Sequence, residues 1–191
     1  MPIIHTTVKT YSRASVETCW EVSFDLEHVG YLHPNTNKSF TLLHVEKEED
    51  SPHFYDFLVY ESVRRVFFFL TLKTFGFRKV IAENVIHQVE CIPFLHSTVA
   101  TNCILNPSDD PDYKCELVNE IVMDAPPILY LFKNLIQKVL KRHQAVQNKE
   151  DEAMRDRMEL LRKKEIHLPY RIFNRSAFDK LCGQFKETPR K

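Results

Sequence analysis

Between Ile3 and Tyr11 the chain alternates, as IIHTTVKTY, with β-branched side chains at most positions, the period of a half-buried strand. Ser15 stands one residue ahead of Val16, and the apolar set Trp20, Val22 and Phe24 follows. A short helix with Ser15 as its cap is predicted there. Asp25 to Leu32 is compatible with a second short helix, which Pro34 stops. From Ser39 to Ala125 the pattern reads as strands throughout. FTLLHVEKE, FYDFLVYES, VRRVFFFLTLKTF, RKVIAENVIHQVECI, FLHSTVATNCIL and YKCELVNEIVMDA are divided by EEDSP, by Gly76, by Pro93 and by NPSDDPD. Connections this short join antiparallel neighbours.

After Asp124 the period becomes helical. Asp124 can cap, and Pro126 and Pro127 suit a first turn, where a missing N–H is harmless. Ile128, Leu131, Phe132, Leu135, Ile136, Val139 and Leu140 form one apolar stripe. The helix can run to Lys164, with its stripe thinning to Val146, Met154, Met158 and Leu161. At about 50 Å it would outreach the domain and should bend or project. A tail, HLPYRIFNRSAFDKL, has Ser176 as a cap and reads as a short returning helix.

The predicted class is therefore α+β: a curved antiparallel sheet of six to seven strands around a long C-terminal helix, with two short helices after the first strand. A sheet of that width curls away from a helix that touches part of its face, leaving a cavity. Residues 1–145 are expected to form the ligand-binding domain, and 146–191 a charged helical extension and tail.

This order, together with SVETCWEVSFDLEHVGYLHP, resembles the helix-grip superfamily of START lipid-transfer domains, pathogenesis-related allergens and polyketide cyclases. The resemblance covers about Thr6 to Arg142. It implies that the partner is a hydrophobic small molecule, lipid-like or polyketide-like, held between sheet and long helix.

On the last strand Tyr113, Cys115, Leu117, Asn119, Ile121 and Met123 share one face, expected to look at the helix. Asn119 is a polar group in an apolar row. It either bonds to buried water or neighbouring backbone, or orients a ligand. Tyr113, Leu117, Asn119, Ile121, Leu131, Leu135 and Val139 are the expected lining, with His28 and His33 near the entrance. Neither face of the preceding strand is clearly the inner one, and His87 and His96 read as surface or rim residues. VFFFLTL is apolar at successive positions, so part of it should pack outward, against the tail or a second subunit.

Composition narrows the partners. The chain of 191 residues has 26 basic and 26 acidic side chains, so it lacks the basic footprint of a nucleic-acid binder. Three glycines are too few for a Gly-rich phosphate loop, and neither G-x-G-x-x-G nor a P-loop occurs. Five cysteines are scattered without C-x-x-C, the three in predicted strands read as small reduced hydrophobes, and no run is long enough for a transmembrane segment. A cytoplasmic protein is expected.

One motif points elsewhere. Asp25, His28 and His33 form D-x2-H-x4-H. Both histidines could meet one metal only if the helix ends near Leu32, since five helical residues separate them by about 140°. Two histidines and a carboxylate suit non-haem Fe(II). DLEHVGYLH resembles the iron segment of the catalytic domain of Rieske non-haem iron oxygenases, which shares the helix-grip fold. The resemblance implies His28 and His33 as ligands, and KEDEAM implies Asp151 as the third, with Glu150 or His143 as substitutes. The C-x-H and C-x-x-H pairs of a Rieske cluster are absent, so an electron-donor protein would be required. In the alternatives Asp25 caps a helix and the histidines sit at the cavity mouth, or one histidine serves as an acid or base.

NKEDEAMRDRMELLRKKE has the mixed charge of a solvated helix face, or of an arm docking a partner through Met154, Met158, Leu160 and Leu161. KNLIQKVLKRH is basic enough to touch an acidic membrane surface, although lysines on an amphipathic helix need no such role.

Overall fold

The computed structural model describes residues 2–24, 37–47, 49–50, 55–65 and 71–164. Seven strands form one curved antiparallel sheet: β1 (Ile3–Ser12), β2 (Asn37–Glu46), β3 (Phe57–Arg65), β4 (Thr71–Ala82), β5 (Val85–Ile92), β6 (Ser97–Pro107) and β7 (Cys115–Asp124). Their order is β1-β7-β6-β5-β4-β3-β2. The last six make a meander, and the first strand returns to lie beside the last. Helix α1 (Val16–Phe24) follows β1, a single turn α2 (Pro127–Tyr130) follows β7, and α3 (Lys133–Lys163) closes the fold. The second short helix expected over Asp25–Leu32, the VFFFL stretch and the tail lie outside the described residues.

Alternation fixes which face is buried. Ile4, Thr6, Val8 and Ser12 of β1 are buried while Ile3, His5, Thr7 and Lys9 are exposed. Opposite them on β7 stand Met123, Ile121, Asn119 and Cys115, all buried. The register carries this face onward to Val99, Thr101 and Cys103 of β6, Ile86, Gln88 and Glu90 of β5, and Gly76, Arg78 and Val80 of β4. Leu58, Tyr60 and Ser62 of β3 complete it.

Two strand boundaries differ from the sequence expectation. Gly76 is not a turn but the middle of β4, and RKVIAENVIHQVECI is not one strand but a hairpin turning at Glu83–Asn84. Gly76 is there because Tyr60 covers it. A Cβ at this position would lie 2.7 Å from the Tyr60 ring and hydroxyl and 2.8 Å from the Val89 carbonyl oxygen. A strand glycine marks close approach as often as a turn.

The helix expected from Pro126 onward is broken at Leu131–Phe132 and restarts at Lys133. The break resets the helical phase. Leu129, Tyr130, Ile136 and Leu140 pack on Ile4, Met123 and Ala125. Ile128, Leu131, Phe132 and Leu135, expected on one stripe with Ile136 and Leu140, face outward instead, 56–79% exposed. From there α3 follows β1. Gln137 Nε2 donates to the His5 carbonyl (2.7 Å), and Asn148 Nδ2 donates to Thr10 Oγ1 (2.7 Å). The Ser12 hydroxyl and the Arg13 N–H donate to Glu152 Oε1, each at 3.1 Å.

The second half of α3 therefore does not project. It ends across α1, where Glu159 accepts from the Ser15 N–H and the Thr18 hydroxyl, and Arg162 approaches Glu21. The boundary expected after residue 145 falls inside this uninterrupted helix. Ser15 is the predicted cap of α1, its hydroxyl receiving the Thr18 N–H at 3.3 Å. No described helix is long and apolar enough to cross a membrane.

Candidate functional site on the concave face

Among the described residues the buried apolar side chains gather in three clusters rather than one. Phe24, Tyr55, Leu58, Tyr60 and Ile86 form the first, and Ala14, Cys19, Leu105, Cys115 and Leu117 the second. Ile4, Met123 and Ala125 form the third, beneath the start of α3. Between them the same face of the sheet carries polar side chains at its centre: Thr6, Asn119, Thr101, Gln88, Glu90 and Arg78.

Glu90 is the hub. Its Oε1 accepts from the Tyr60 hydroxyl (2.5 Å) and from Gln88 Nε2 (3.0 Å), and it is closely paired with Arg64 Nη2. Burial, and then the Glu90 carboxylate, push the Tyr60 phenol well above its ordinary pKa, so it stays protonated and donates. Arg78 binds Gln88 Oε1 through Nε (3.0 Å) and Nη2 (2.7 Å), and through Nη1 the Ser23 carbonyl (2.8 Å) and the Tyr55 hydroxyl (3.4 Å). All of these partners are neutral. An arginine side chain does not lose its proton in a protein. Arg64 is thus paired with the Glu90 carboxylate, whereas the Arg78 guanidinium is held by neutral groups. Arg64 Nη1 also lies 3.3 Å from His143 Nε2, so β3 and α3 touch across the concavity. With a guanidinium as the donor, that ring nitrogen is the acceptor.

On the same face, two and three strands from Gln88, Asn119 Nδ2 and Thr6 Oγ1 are buried polar atoms with no hydrogen-bond partner among the described residues. Thr6 pairs with Ile121 and Val8 with Asn119, so the two side chains are diagonal neighbours on one face. They lie between the second and third clusters. Buried polar atoms are normally satisfied, so an unpartnered pair marks a place that water or a ligand should complete.

The expected lining divides. Leu117, Asn119 and Ile121 are buried on the concave face, and Val139 is half-buried on α3. Tyr113 does not join them. It precedes β7, and its ring packs against that of Tyr11 on the outer face, centroids 5.5 Å apart. Strand parity does not reach a residue in the turn before the strand. Leu131 and Leu135 are 79% and 56% exposed. His28 and His33 lie outside the described residues. The polar centre went unread in the sequence, although a signal was present: Gln88 and Glu90 alternate with His87 and Val89, and only a correct hairpin register shows that Arg78 faces Gln88.

Of the side chains named for iron, Asp151, His143 and Glu150 are among the described residues. Asp151 Oδ2 accepts from Arg155 Nη2 (3.3 Å), inside a clamp in which Arg155 also reaches Glu152 Oε2 and the Asn148 carbonyl. His143 faces Arg64. A guanidinium beside Asp151 and another beside His143 oppose a dication at those two side chains. Glu150 is half-buried on the same helix.

No family model matches the chain, and no curated protein matches it in sequence. Solved structures do match. The di-domain aromatase/cyclase StfQ of the steffimycin biosynthetic pathway gives a TM-score of 0.65 at 11% identity, over 81% of this chain and 52% of that one. The chain thus spans about half the length of StfQ. The Zhui aromatase/cyclase from Streptomyces sp. R1128 gives 0.61 at 13% identity, over 82% and 95%. A START superfamily protein from Mycobacterium smegmatis gives 0.55 at 14% identity, over 82% and 98%. With a seven-stranded curved sheet, a long closing helix and these neighbours, the chain has the helix-grip fold.

Proposed function

We propose that the chain binds a mainly apolar small molecule between the concave face of the sheet and α3, with a polar or anionic end turned toward Arg78 and Asn119. The observation that carries this reading is the buried pair Thr6 Oγ1 and Asn119 Nδ2, unpartnered among the described residues, on the same concave face as the Arg78 guanidinium. An interior meant only for packing would gain by making these positions apolar, because an unmet buried polar atom costs about 1–3 kcal/mol. Leu117, Ile121 and Val139 supply the apolar walls, and Arg78, backed by Gln88, offers the charge. The matched aromatase/cyclases and the START protein agree with a small-molecule role for such an interior.

The test is native mass spectrometry of the full chain, followed by titration with anilinonaphthalene sulfonate, an apolar probe with one anionic group. A non-covalent adduct that organic extraction removes is expected, or saturable probe binding that Asn119→Leu abolishes while the variant stays folded. A bare chain that takes up no probe refutes the reading.

A further inference from the structure

The end of the molecule where β7 gives way to α2 presents apolar side chains to solvent. Ile128 is 68% exposed, Leu131 79%, Phe132 56% and Leu135 56%. Phe94, 73% exposed, stands at the same end: it lies in the Pro93–Leu95 turn just ahead of β6, whose Thr98 pairs with Asp124, the last residue of β7. Scattered exposed hydrophobes are ordinary, but a group of large ones at one end marks an interaction surface.

Its charge says what kind. From Ala125 to Lys149 the sequence has five basic residues, Lys133, Lys138, Lys141, Arg142 and Lys149, and no acidic one. All five are exposed, and none pairs with a carboxylate among the described residues. Leu135, Lys138, Arg142 and Lys149 recur at helical spacing on the outward face of α3. The N-terminal end of that helix adds the positive end of its dipole. The acidic side chains that flank this run, Asp124 and Glu150, are both half-buried.

We propose that this end docks on an anionic lipid surface, with Ile128, Leu131, Phe132 and Phe94 entering the headgroup boundary and the cations of α3 meeting lipid phosphates and carboxylates. Apolar tips flanked by lysine and arginine are the pattern of an interfacial helix. Two other occupants fit poorly. A second copy would set one basic face against another across a twofold axis. The chain's own residues 165–191 carry six basic and three acidic side chains, so their net charge has the same sign as the face.

The measurement is co-sedimentation of the full chain with vesicles of phosphatidylcholine alone or with added phosphatidylserine. Binding should need phosphatidylserine and weaken as salt is raised, because charges at a membrane surface are screened over about 8–10 Å. Lys138→Glu with Arg142→Glu should reduce binding roughly 30-fold or more, at about fivefold per cation removed. Leu131→Ser with Leu135→Ser should also reduce it. Both pairs are exposed, so urea midpoints should stay unchanged. Should a double variant fail to fold, Leu131→Trp supplies an independent reading, with emission shifting to the blue only on anionic vesicles. Equal binding to both vesicle types, no binding, or self-association that Leu131→Ser abolishes would each overturn the proposal. So would a preference for an acidic protein with no affinity for lipid.

Discussion

Gly76 and Tyr60 form a cross-strand pair in which one residue has no side chain so that the other can lie flat over the sheet. Tyr60 is 2% exposed and its hydroxyl holds Glu90, so it has no room to retreat. Gly76→Ala should therefore overpack the face and lower stability by about 1–3 kcal/mol, read as a lower urea midpoint at unchanged slope. An unchanged midpoint would mean that Tyr60 swings away freely. Of the described cysteines Cys91 is exposed, and the others sit among apolar neighbours. Cys19 and Cys115 are buried, free and packed with Leu105 and Leu117, and burial pushes the Cys103 thiol up. Arg64 and Glu90 could not be paired from sequence, because they lie on different strands and meet only through the register of β3, β4 and β5.

Among the elements, α1 depends most on another. Nine residues are too few to hold a helix in water unaided. Glu159 of α3 stands at its N-terminus, taking the Ser15 N–H (3.2 Å), the Thr18 hydroxyl (2.9 Å) and the Lys114 ammonium (2.6 Å). Burial works to raise the carboxyl, but Lys114 and these two donors hold it down at about 2. A carboxyl depressed in the folded state contributes stability above its unfolded pKa of about 4.5 and loses it as the pH falls toward about 2. Wild type should thus exceed Glu159→Gln by on the order of 2 kcal/mol near neutrality, less than the full shift implies because the group keeps some solvent contact. That gap should close between about pH 4.5 and pH 2 in urea titrations. A gap independent of pH would show that the ionised form is not what α1 requires.

At the scale of the molecule, α3 joins the two ends of the interior. Its first half covers the cluster at Ile4 and Met123, and its second half reaches Ser12, Arg13 and α1. Cutting the chain after Ala145 should remove Asn148, Glu152, Arg155 and Glu159 together and uncover the cluster around Ala14 and Cys19. Thermal unfolding should then lose its single cooperative step or shift downward by about 10 °C or more, on the scale of roughly 2–4 °C per kcal/mol for a chain of this size. A truncated chain that melts like the full one would make residues 146–164 the separate extension that their charge suggested.

Alternation and period determined most of the architecture from the sequence alone. IIHTTVKTY, the strand runs and the helical stripe after Pro127 each report a local burial pattern, and a local pattern survives without knowledge of the rest of the chain. Leu117, Asn119 and Ile121 were legible for the same reason, since parity along one strand fixes their common face. Tertiary structure decided what depends on two or more elements at once. The break at Leu131–Phe132 turned half of the apolar stripe outward, the hairpin at Glu83–Asn84 set Arg78 opposite Gln88, and the charged run after Asn148 became a clamp on β1 and α1. Phase, register and partner choice are relations between segments, and no single segment encodes them.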